Sequence, residues 1–191
     1  MSFLSKILDS KNAQLRMKVC DVIINCVQSL IELEKGFIQN SLSEEIIYLR
    51  NNYDSDESKL EKALFTLAFI SKIYEQNGLD KKEFNSLVYS TFDLFATNGI
   101  KRKLKENGFK SNAQFLNGRL NFYINEIYLL HNLEHPNSGH ITYFWYNNPL
   151  SLEEGVDKNI IILAFFLSVY PDYLRLVSEG VIELLINSKK K

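Results

Sequence analysis

The chain's three histidines all fall within one ten-residue run, His131, His135 and His140 of HNLEHPNSGH. On a helix, His131, Glu134 and His135 occupy positions i, i+3 and i+4 and share one side. That is the placement two imidazole ligands and a carboxylate base need around a metal ion. Neutral imidazole is a common metal ligand, and a carboxylate beside a metal-bound water can take its proton. Just downstream lies the block Tyr143, Phe144, Trp145 and Tyr146, which holds the only tryptophan. Large rigid rings with a polar handle are the side chains that anchor protein interfaces. Upstream, Gln114, Asn117, Asn121, Asn125, Tyr128, Asn132 and His135 form one polar stripe, with paired donors and acceptors suited to a polar ligand or a peptide. Lys101, Arg102, Lys103 and Lys105, with Lys110 beyond, are the only dense positive run before the terminal lysines. Such a run is the type that holds phosphates.

The sequence His131-Asn132-Leu133-Glu134-His135 resembles the HxxEH motif of the inverted zinc peptidases, over these five residues alone. The resemblance implies a metal-dependent hydrolase, with His131 and His135 as ligands and Glu134 as base; apart from the resemblance, His140 lies near enough in sequence to be a further donor. A downstream third ligand would come from Glu179 or Glu183. Pro136 disfavours helical backbone at His135, which works against that arrangement. The simpler expectation is a helix end with solvated or capping histidines, and no metal or other cofactor.

The elements that would position these residues are helical. Ser111 to His135, laid out at about 100° per residue, shows two apolar sectors beside the amide stripe. Arg119 and Glu126 lie on the seam between them, and need partners if they are buried. A helix apolar over most of its circumference is packed on several sides, which predicts that this one is central. Gly118 inside it suggests close approach of another backbone. Asn12 is positioned to cap a helix running to about Phe37, leaving 1–11 as a short amphipathic segment. Ser41 with Glu44 is a capping box for a shorter helix. Asp56 or Ser58, with Glu61, is read as a second capping box, and Asp80 as the start of the next helix, closed by Gly99. Beyond Pro136, residues 136–150 read as a non-helical aromatic loop. Ile160 to Tyr170 reads as a buried helix, with Pro171 starting the last one.

Composition bounds the function. Hydrophobic residues make up 46% of the 191 and charged residues 24%, the balance of an ordinary folded domain. With 22 basic and 23 acidic residues the net charge is −1, so no global field draws the chain to nucleic acid or to an anionic surface. Cys20 and Cys26 lie about 240° apart on a helix, too far round it to pair, and read as free thiols of a reducing compartment. The N-terminal run lacks the apolar core and cleavage site of a signal peptide, and no apolar run reaches the roughly 20 residues of a membrane span.

The expectation is one all-α domain over 1–191, of seven or eight helices with mostly antiparallel neighbours, cytoplasmic, with self-association left open. Its expected role is non-enzymatic protein binding, as an inhibitor, immunity-type protein or adaptor. The expected partner surface is Tyr143, Phe144, Trp145 and Tyr146 with Asn125, Tyr128 and Asn132. The metal-dependent hydrolase and a nucleic-acid binder acting through the basic run stand as alternatives.

Overall fold

The computed structural model describes residues 3–40, 52–77, 80–131, 138–152, 155 and 160–189, with side chains except at 3–10, 128–131, 138–139, 160–161 and 188–189. The described residues form seven α-helices and one π-helical turn, and contain no strand. The helices are α1 (Phe3–Asn40), α2 (Asp56–Gln76), α3 (Lys81–Phe95), α4 (Asn98–Glu106), α5 (Asn112–His131), α6 (Ser138–Thr142) and α7 (Ile160–Lys189). The π-turn, Tyr143–Asn147, continues directly from α6. The all-α expectation holds.

The starts of these helices follow local chemistry. Ser55 has extended backbone, and its hydroxyl accepts the Ser58 N–H at 3.1 Å, so Ser55 rather than Asp56 or Ser58 caps α2. Asp80 caps α3 by accepting from the Lys82 N–H at 2.9 Å. Thr97 caps α4, which places Gly99 in the first turn of α4 instead of at the end of α3. At α5 the Ser111 hydroxyl accepts the Gln114 N–H at 3.1 Å, and the Gln114 side chain accepts from the Lys110 N–H at 2.7 Å.

The helix at the centre is α2. Every residue from Leu60 to Ala68 is buried, including Glu61, Lys62 and Thr66. Phe65 is its hub, edge-on to Tyr123 of α5 at 5.6 Å and to Trp145 of the π-turn at 5.2 Å. The Thr66 hydroxyl lies 2.5 Å from the Tyr173 hydroxyl of α7. Full burial of one large apolar side chain stabilises by about 1.5–3 kcal/mol, so a helix buried along such a length organises the whole core. Helix α5, expected at the centre, instead leaves Asn117, Gly118, Asn121 and Asn125 exposed.

Two buried ion pairs join α2 to its neighbours. Lys62 Nζ lies 2.5 Å from Glu34 of α1, and Arg119 Nε of α5 lies 3.1 Å from Glu61. Each carboxylate has further donors: the Tyr146 hydroxyl donates to Glu34, and the Tyr123 hydroxyl to Glu61 at 2.8 Å. Glu61 also accepts the Leu150 N–H at 2.9 Å, while Arg119 donates to the Ser151 carbonyl at 2.7 Å. Leu150 has φ of 60°, a left-handed backbone that non-glycine residues seldom adopt, and these bonds hold it there. Burial pushes the Glu34 and Glu61 carboxyls up and the Lys62 amine down, each against the pull of its partner.

Four other expectations change. Helix α1 begins at Phe3 and passes through Asn12 without a break, so 1–11 is not a separate segment; the Asn12 amide instead donates to Glu83 of α3 at 3.2 Å. Residues 138–147 are helical rather than looped, because burying Phe144, Trp145 and Tyr146 on one side of a single wide turn satisfies backbone and rings together. Helix α7 runs through Pro171. Proline cannot bond the carbonyl four residues back, but Leu167 and Pro171 both face solvent, where water can take that carbonyl. Gly118 meets nothing within 4 Å of an added Cβ and borders an open cavity of about 200 Å³ between Phe115, Phe122 and Leu152. Among the helical glycines a neighbour comes close at Gly180, where an added Cβ would sit 3.1 Å from the Val22 side chain of α1. With Phe37 stacked on Phe165 at 4.3 Å, this sets α1 and α7 antiparallel. The helix expected from Ser41 to Asn51 lies outside the described residues.

Candidate functional site: an asparagine-lined groove

Where α2, α3 and α5 meet, they leave an open groove of about 590 Å³. Its α5 wall carries Asn117, Asn121 and Asn125 at four-residue intervals, with Leu120 and Ile124 below them. All three amides are exposed, and none makes a hydrogen bond to another described residue. The α2 wall supplies Ser71, Lys72, Tyr74 and Glu75, and α3 supplies Lys81, Phe84 and Asn85. Tyr74 and Phe84 pack edge to face at 5.7 Å and complete an apolar floor with Leu120 and Ile124.

The electrostatics of this groove are mild. Burial holds the Lys72 amine below its ordinary range, with Glu75 pulling the other way. Burial first, then the Glu83 carboxylate, pushes the Tyr74 hydroxyl up to about 12, so it stays a neutral phenol. The Ser71 hydroxyl donates to the Ala68 carbonyl at 2.7 Å. The described lining holds no histidine or cysteine, and two lysines face one glutamate at the rim. Such a site offers amide hydrogen bonds and apolar contact to whatever lies in it.

Of the residues expected to form a partner surface, Asn125 stands in this groove. Phe144, Trp145 and Tyr146 do not form a surface: all three are buried at 1% exposure or less. Trp145 lies edge-on to Phe65 and to Phe166, and Lys62 Nζ sits 5.8 Å from the centre of its ring. The Arg119 guanidinium lies 3.4 Å from the centre of the Phe144 ring. Burying these rings satisfies their large apolar area and shields the ion pairs beside them. Tyr143 alone is half-buried, held by the Asn148 amide, which donates to its hydroxyl at 3.2 Å. The side chain of Tyr128, and Asn132 altogether, lie outside the described residues.

The metal arrangement gains no geometry. Glu134, His135 and the His131 side chain lie outside the described residues. His140 Nδ1 faces Glu126 Oε1 at 3.6 Å, which also answers what the buried Glu126 packs against. Among the described residues no three His, Cys, Asp or Glu side chains gather as a metal would require. In the basic run, Lys101 pairs with Asp93, Arg102 with Glu106 and Lys103 with Glu57. Phosphates would have to compete with these carboxylates for three of the five cations. Among the described residues no helix is long and apolar enough to cross a membrane.

The amide file was visible in the sequence as a polar stripe at helical spacing. The opposite walls come from two other helices, and nothing in the sequence brings Ser71, Lys72, Glu75 and Asn85 together with that stripe. No protein family, no curated protein and no solved structure matches this chain, so the groove is interpreted on its own chemistry.

Proposed function

We propose that this chain is a non-enzymatic protein-binding module that takes a segment of a partner protein into the groove between α2, α3 and α5. The observation that carries this reading is the file of three exposed amides, without partners among the described residues, above an apolar floor. Amides give orientation and the floor gives affinity, the usual division of labour in a binding cleft. Among the described lining residues the Ser71 hydroxyl is committed to the Ala68 carbonyl, which favours capture over turnover. An adaptor and an inhibitor both work this way. The free thiols of Cys20 and Cys26 suit a reducing, cytoplasmic setting for it.

The test is selection from a displayed library of short random peptides against the full chain. Clones that bind should lose affinity on Asn117→Ala/Asn121→Ala/Asn125→Ala. Three hydrogen bonds at about 1 kcal/mol each predict a loss of about a hundredfold. Alanine is a better helix former than asparagine, so the triple variant should stay folded. No enriched clones, or clones indifferent to the triple substitution, would sink the proposal.

A further inference from the structure

An asparagine side chain presents one carbonyl acceptor beside an NH₂ donor, which is the same pair a peptide unit presents. Asn117, Asn121 and Asn125 repeat every four residues of α5, about 6 Å apart along its axis. In an extended chain the residues that turn their N–H and C=O to the same side recur every second residue, at about 6.4–6.8 Å. The two repeats differ by under about 1 Å per step, which side-chain torsions can absorb. A helical ligand offers these amides no main-chain partner, because its main-chain groups are already paired internally. An extended segment arrives with all of its own unpaired.

Resting on the reading of the groove given above, we infer that the bound segment is an extended strand laid alongside α5. Its main chain is read at every second residue by Asn117, Asn121 and Asn125. Five consecutive residues span the three amides. One alternate set of their side chains lies on the floor of Leu120, Ile124 and Phe84, so that set is apolar. Affinity then comes from main-chain bonds and specificity from alternate side chains.

A backbone scan tests this. The tightest peptide from the library is remade with each backbone nitrogen methylated in turn, and each version is titrated calorimetrically against the full chain. Methylation should cost at least about tenfold at every second position and little between them. In Asn121→Ala, methylation at one of the sensitive positions should lose its effect. Losses at nearly every position beyond the first turn would mean a helical ligand, whose internal N–H bonds methylation breaks, and a flat scan would mean recognition by side chains alone. Either result overturns the extended register while the groove remains a peptide site. Failure to select any peptide overturns both.

Discussion

Glu61 and Lys62 are adjacent in sequence and both wholly buried, and each closes a different ion pair, Glu61 with Arg119 at 3.1 Å and Lys62 with Glu34 at 2.5 Å. Neighbouring side chains on a helix point about 100° apart, so these two reach different neighbours of α2. One fixes α5 and the other fixes α1. A buried charge is costly in isolation and tolerable only when its remaining hydrogen-bonding sites are filled. Tyr146, Tyr123 and the Leu150 N–H fill them here.

Breaking one pair from either side should therefore be severe. Glu61→Leu and Arg119→Met are each expected to cost about 3–5 kcal/mol in urea unfolding, because each leaves a charge buried alone. The double variant should cost less than the sum of the two by more than about 1 kcal/mol. It should not recover fully, since Tyr123 and Leu150 lose their acceptor. Strict additivity would show that the two side chains do not act as a pair.

Trp145 is a core residue, and Trp145→Ala is expected to destabilise by about 3–5 kcal/mol. As the only tryptophan, it should emit at the short wavelength of a dry environment and shift red on unfolding. Emission typical of a solvated indole in the native protein would contradict its burial.

Two helical glycines should respond differently to alanine. Gly118→Ala places its methyl in open space and gains helix propensity, so the unfolding midpoint should rise, with a gain in stability of up to about 1 kcal/mol. At Gly180 the same methyl meets the Val22 side chain at 3.1 Å, which must give by a few tenths of an ångström against its own packing. Overpacking of that kind costs about 1–3 kcal/mol, so Gly180→Ala should fall well below Gly118→Ala. Equal midpoints would mean that α1 and α7 are not so close.

The buried tyrosines set an alkaline limit. Burial raises Tyr74 and Tyr170 to about 12, and raises Tyr123 and Tyr173 as well. In the unfolded chain all four ionise near pH 10. Because the folded values are the higher ones, their contribution is complete below pH 10 and is lost as the pH climbs from 10 towards 12. Denaturant midpoints should fall across that interval, with tyrosinate absorbance appearing together with unfolding. Titration of all ten tyrosines near pH 10 in the folded protein would refute this.

Helix spans were largely legible in the sequence because apolar spacing and capping residues act locally. The identity of the central helix was not. Glu61, Lys62 and Thr66 make α2 look half-solvated, and only their distant partners Arg119, Glu34 and Tyr173 show otherwise. In α5 the reverse held: its apolar sectors suggested full enclosure, while its amide stripe faces a groove. The rings at 143–146 gave no sign of direction, since an interface and a core use the same side chains. Pro171 read as a start because proline favours first turns, and nothing local showed that the carbonyl it leaves unpaired would face water.

The two ion pairs also bear on how the chain is made. Glu34 and Lys62 leave the ribosome early, but Tyr146, which completes their shell, follows long after, as does Leu150 for Glu61. Until then α2 holds charges it cannot take out of water. The first half of the nascent polypeptide must wait, hydrated and unsealed, for the last third to be synthesised.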